Sequence, residues 1–220
     1  MNELLFFLHV GLIIAFALGA LRLGKETLVA WVCIQSILAN VFVIKQMDFL
    51  GFTITCSDVF AIGAILGLNL IQEYFGRESA KKTTSICLFF MLFFTVMSKM
   101  QLLYVPSKYD YAQSAYHTIL SPAARILFAS LFTFFLVQKI DVKFFQYIRE
   151  KLPHYPLALR SALTIVLSQA IDTTLFSFLG LYGLVSSIFD IILISFLIKV
   201  LIILMTTPLV LFSKKMVRTS

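Results

Sequence analysis

The stripe Ser168-Gln169-x-x-Asp172-Thr173-x-x-Phe176 sets a hydroxyl, an amide, a carboxylate and an aromatic ring at steps of three and four residues. On an α-helix those steps return to one face. The stripe lies in an apolar run over residues 160–181, where a carboxylate is costly unless it meets a partner or a wet cavity. Such a set can bind a flat, hydrogen-bonding ligand. Asp172 accepts from N–H groups, Gln169 donates or accepts, and Phe176 stacks. The same residues would equally serve as polar glue between helices.

Other ionisable residues fall in apolar surroundings. Lys199 sits near the middle of the last apolar run, at residues 185–212, where its chain cannot reach water. Asp190 lies half a revolution away on the same helix, so Lys199 needs a partner elsewhere, with Asp172 and Asp58 as candidates. Arg125, in Pro122-Ala-Ala-Arg125, carries a planar fork suited to carbonyl oxygens and ring nitrogens. Lys99, near a helix end, reaches water by snorkelling. Asn69, Gln72 and Glu73 share a helical face with Asp58, three turns earlier. Glu73 either pairs with Arg77 at the boundary or belongs to a gate or site. Trp31 and Gln35 share a face of another helix, with packing the simpler role for Trp31.

Several familiar chemistries do not assemble. Gly19-Ala-Leu-Arg-Leu-Gly24-Lys25 has a P-loop outline, but Glu26 stands where a Ser or Thr is required. His9, His117 and His154 have no metal-ligand spacing, and neither HExxH nor GxSxG occurs. Cys33, Cys56 and Cys87 form no CxxC, and their odd number argues against a disulfide framework. No cofactor, no metal and no enzymatic activity are expected.

The elements that must position these residues follow from composition. Hydrophobic residues make up 60% of the 220 and charged ones 13%, with a mean hydropathy of +0.96. Soluble domains hold about 45–50% apolar and about 25% charged residues, so the partner of this surface is a lipid bilayer. Met1-Asn2-Glu3 lacks a positive region and the following apolar run lacks a cleavage site, so that run reads as a retained helix. The expected fold is all-α and polytopic, one domain over residues 1–220. Seven membrane helices are placed at about 4–21, 28–44, 57–75, 84–104, 118–138, 160–181 and 185–212, with a short segment, Phe49–Cys56, leading into the third. An echo of Leu136–Asp141 in Leu167–Asp172 is too weak to establish a repeat.

Charge orients the bundle. With the N-terminus outside, the inner side holds Arg22, Lys25, Arg77, Lys81, Lys82, Lys139, Lys143, Arg149, Lys151, Arg160, Lys214, Lys215 and Arg218. The outer side holds Lys45 and Lys108, so cations favour the inside thirteen to two. The C-terminus is then inside, and the net charge of +7 reflects cytoplasmic loops, with no nucleic-acid partner.

Taken in order, the polar blocks resemble a known family. They are Asn69-Leu-Ile-Gln-Glu73-Tyr-Phe-Gly76, Pro122-Ala-Ala-Arg125-Ile-Leu-Phe-Ala-Ser130, Gln138-Lys-Ile-Asp141, Leu159-Arg160, the Ser168–Phe176 stripe, and Lys199 with Thr207-Pro208. Over roughly residues 57–208 this chain resembles the queuosine precursor transporters, also classed as vitamin uptake transporters. The resemblance implies a bacterial inner-membrane carrier that imports 7-deazaguanine bases (preQ0, preQ1 or queuine) for tRNA queuosine salvage. The alternative is a substrate-binding subunit of an energy-coupling-factor type transporter. Asp172, Gln169, Ser168, Phe176, Arg125, Lys199, Asn69 and Glu73 are the candidate substrate-binding residues. Asn69 stands where the family pattern has Asp, which removes a charge near the inner gate. Homo-oligomerisation stays open.

Overall fold

A computed structural model describes residues 1–151 and 157–201, apart from the side chains at 138–139, 141–142, 145–146, 149 and 157–162. In a bilayer no water satisfies backbone amides, so each long apolar segment closes its own hydrogen bonds as a helix. The elements are α1 (Asn2–Leu23), α2 (Lys25–Phe42), β1 (Gln46–Phe49), β2 (Phe52–Thr55), α3 (Asp58–Phe75) and α4 (Arg77–Leu103). They continue as α5 (Gln113–Leu120), α6 (Ala123–Lys151), α7 (Leu157–Phe176), a π-helical turn (Ser177–Leu181) and α8 over residues 188–201.

Among the described residues, five helical stretches are long and apolar enough to cross a membrane: Asn2–Leu23, Asp58–Phe75, Arg77–Leu103, Gln113–Val137 and Leu163–Leu181. Helix α2 falls short by this measure because its 18 residues open with Lys25 and Glu26. Rings such as Phe16, Phe89, Phe93, Phe128 and Phe135 are exposed on the bundle's outside. A water-facing surface would not carry such a coat, and lipid tails match it. Thr207-Pro208, the cations Lys214, Lys215 and Arg218, and the end of the seventh expected helix lie outside the described residues.

The helices alternate in direction. At one end the hairpin formed by β1 and β2 is tied to the start of α1, where Asn2 Nδ2 donates to the Asp48 carbonyl at 2.8 Å. It is tied equally to the start of α8. The Thr53 N–H donates to Asp190 Oδ2 at 3.3 Å, and Gln46 Oε1 accepts from Ser186 N and Oγ at 2.9 and 2.6 Å. Lys99 at the end of α4 donates to the Ser121 carbonyl at 3.1 Å. At the other end Lys25 Nζ donates to Ser79 Oγ at 2.8 Å.

Four local features depart from the hydropathy reading. The segment leading into α3 is a β-hairpin, closed by Leu50 (φ 51°) and Gly51 (φ 85°). Two successive positive φ angles give the turn the twist that antiparallel strands need. The expected helix over residues 118–138 breaks at Ser121-Pro122 into α5 and α6, since proline has no N–H to continue the ladder. Helix α4 begins at Arg77, seven residues before its apolar run, because hydropathy marks the span and not the helix. Helix α7 ends at Phe176 and passes into the π turn.

The tightest packing joins α2 to α3. A Cβ at Gly67 would lie 2.7 Å from Val32 Cγ2, and one at Gly63 would lie 2.6 Å from Gln35 Oε1. Small residues four apart let two helix backbones approach, which is how helices associate where lipid supplies no hydrophobic drive. Trp31 Nε1 donates to the Gly63 carbonyl at 3.3 Å, so its role is this interface. Leu28, Val32, Leu66, Leu70 and Ile71 form the core here, with the free thiols of Cys33 and Cys87 buried among them.

Candidate functional site

A cavity of about 370 Å³ opens between α2, α3, α4, α6, α7 and α8, beside the end of β2. That volume lies within the about 300–1,000 Å³ typical of small-ligand sites. Four walls bring polar side chains at helical spacing: Ser36 and Asn40 from α2, Ser130 and Thr133 from α6, Gln169, Asp172 and Thr173 from α7, and Ser195 and Lys199 from α8. Thr55, Ser57 and Asp58 come from the junction of β2 with α3, while Met91, Phe134, Phe176 and Leu181 add apolar and aromatic surface.

Helix α8 organises the charges. Lys199 Nζ donates to Asp172 Oδ2 at 2.8 Å and to Thr173 Oγ1 at 3.0 Å. The two side chains of this ion pair retain 17% and 29% exposure, so it is neither sealed nor fully solvated. One turn earlier Ser195 Oγ donates to Asp58 Oδ1 at 2.8 Å. Asp58 is buried at the first turn of α3, where the helix dipole favours an anion. Its Oδ2 is buried with no hydrogen-bond partner among the described residues, as is Thr133 Oγ1 across the cavity. Thr55 Oγ1 and Ser57 Oγ share a bond of 2.6 Å at the same corner.

Of the residues singled out by sequence, Asp172, Gln169, Phe176 and Lys199 line this cavity. Lys199 finds Asp172, one of its two candidate partners, and its neighbour Ser195 holds the other. Ser168, the first residue of the stripe, is buried but is not on the cavity wall. Asn69 and Glu73 are also off the wall; Asn69 lies about 16 Å down α3 from Asp58 at the helical rise.

Arg125 has a different task. Its Nε donates to the Leu179 carbonyl at 2.9 Å and its Nη2 to the Tyr182 carbonyl at 2.8 Å. The end of a helix leaves carbonyls without partners, and the guanidinium fork serves two of them at the π turn. Arg125 thereby clamps the start of α6 to the end of α7, outside the cavity.

Ser36, Asn40, Ser130, Thr133 and Ser195 were not legible as site residues one at a time, because a lone hydroxyl or amide in an apolar helix usually bonds its own backbone. Ser36 Oγ does so, donating to the Val32 carbonyl at 2.9 Å. The signal available was pairing: polar residues three or four apart in otherwise apolar runs.

Comparisons with known proteins identify relatives of the chain by sequence. Residues 55–213 match the family described as "Putative vitamin uptake transporter", a range that includes every cavity wall except α2. The chain is also similar to the "Probable queuosine precursor transporter" of Bacillus subtilis (strain 168). The two are 28% identical over 214 residues, covering 96% of this chain and 92% of that one. No solved structure matches. A bundle of membrane-length helices around a polar, ligand-sized cavity, matched over most of its length, places this chain in the vitamin uptake transporter family.

Proposed function

We propose that the chain is a secondary carrier that imports 7-deazaguanine queuosine precursors across a bacterial inner membrane for tRNA queuosine salvage. The observation that carries this reading is the cavity, in which an acceptor-rich polar set converges inside an apolar bundle. A 7-deazaguanine presents N1–H and N2–H₂ donors along one edge, an O6 acceptor and a flat face. A carboxylate has two oxygens, so Asp172 can keep Lys199 on Oδ2 and take ligand N–H on Oδ1. Gln169 serves O6 and Phe176 stacks on the ring. Alternating access around a fixed site between helices supplies the mechanism. Seven spans, with the N-terminus outside and the C-terminus in the cytoplasm, complete the proposal.

The test is uptake by this single protein in a host lacking its own base transport, with preQ0, preQ1 and queuine compared side by side. Accumulation of at least one base without a partner protein is the expected result. Uptake that appears only with a co-expressed ATP-driven module would assign the chain to the substrate-binding subunit of an energy-coupling-factor transporter.

A further inference from the structure

The two carboxylates of the cavity are treated unequally. Asp172 is bonded directly to Lys199, while among the described residues the side-chain hydrogen bond to Asp58 comes from the neutral hydroxyl of Ser195. Asp58 is 7% exposed, and its Oδ2 has no partner among the described residues. Among the described residues, the ionisable groups on the wall are Asp58, Asp172 and Lys199, a formal charge of −1. A buried carboxylate that no cation bonds directly is costly. An occupant bearing one positive charge removes that cost.

Ser195 and Lys199, which hold the two carboxylates, are four residues apart on α8, about 6 Å along its axis. A ligand ring at Asp172 and Phe176 therefore has Asp58 within the reach of a short substituent. We infer that Asp58 is the specificity residue of this site, taking a protonated amine carried by the base. The inference rests on the transporter reading above. A charge-assisted bond there is shorter and stronger than any bond a neutral substituent makes.

The experiment compares uptake of 7-aminomethyl-7-deazaguanine with that of 7-cyano-7-deazaguanine, one ring with and without the cation. Wild type, Asp58→Asn and Ser195→Ala are measured, each normalised to its abundance in the membrane. Wild type should favour the amine by about tenfold or more, the scale of a charged hydrogen bond. Asp58→Asn should abolish that preference, bringing the ratio of amine to nitrile uptake to about one. Ser195→Ala leaves the carboxylate with the ligand as its main partner, so the amine preference should rise. Equal uptake of both bases by wild type overturns the inference, and so does an unchanged preference in Asp58→Asn. If Asp58→Asn does not reach the membrane, Ser195→Ala decides, and an unaltered preference there overturns it. Uptake of queuine but of neither of these two bases by wild type also overturns the inference, whereas uptake of none of the three removes the transporter reading itself.

Discussion

Asp172 both accepts from Lys199 and faces the cavity, so its substitution separates two roles. Asp172→Asn preserves size but replaces an acceptor oxygen with a donor NH₂. If Asp172 grips the donor edge of a base, donor then faces donor, a mismatch of about 1–3 kcal/mol. That corresponds to about tenfold to a hundredfold in affinity. A role confined to the ion pair would instead lower protein abundance, and Lys199→Met in the same chain would restore both abundance and uptake. The expected result is lost uptake that the second change does not rescue, read from membrane abundance and base uptake in the single and double variants. Recovered uptake in the double variant would sink the binding role. Arg125 shows the converse case, in which a residue type chosen for its chemistry spends that chemistry on backbone carbonyls. The sequence argument that its fork suits carbonyl oxygens was sound; which carbonyls it meets is a matter of folding.

At the scale of elements, the α2–α3 contact sets the shape of the cavity, because those helices carry Ser36, Asn40 and Asp58. A methyl at Gly67 would meet the β-branched Val32 at 2.7 Å and Trp31 Cδ1 at 3.1 Å. Neither neighbour swings aside easily: Val32 is buried, and Trp31 is held by its bond to Gly63. Gly67→Ala should therefore lower stability by about 1–3 kcal/mol, the usual cost of overpacking. Gly19 in α1 has nothing within 4 Å of its added Cβ, so Gly19→Ala should be neutral or slightly stabilising. Thermal melting of the two variants in detergent checks this contrast, and equal melting would mean that the close approach of α2 and α3 does not exist in solution. The hairpin is the second organising element. It links the starts of α1 and α8 and runs through Thr55 directly into the Ser57-Asp58 corner of the site.

For the whole molecule, the hydrogen bonds at the bundle ends group the start of α1, the hairpin, the end of α4, the start of α6 and the start of α8 on one side. Asp58, Asp172 and Ser195 lie toward that side along their helices, so the cavity occupies the same half of the bundle. If the cation bias orients the chain, this half faces outward, the side from which an importer loads. Reporter fusions give the check: one after Lys108 should report the outside and one after Lys151 the cytoplasm. A cytoplasmic signal after Lys108 would reverse the cavity and remove the argument for outside loading.

Membrane class, the approximate helices and the Ser168–Phe176 stripe were legible in the sequence because hydropathy and the 3.6-residue period are local properties of the chain. So was the need of Lys199 for a partner on another helix, since an isolated ammonium at depth has no other means of solvation. The identity of that partner was not local. Asp172 and Asp58 were equal candidates until packing set α8 between α7 and α3 and gave Lys199 to one and Ser195 to the other. The hairpin, the break at Pro122 and the π turn escaped for a related reason: hydropathy averages over a window longer than the turn that redirects the backbone. The clamp by Arg125 and the pairing of hydroxyls and amides into one cavity also depend on contacts distant in sequence. Sequence alone determined which groups a membrane would force to find partners; only the tertiary structure decided which partners they found, because close packing makes that choice among several that the chain leaves open.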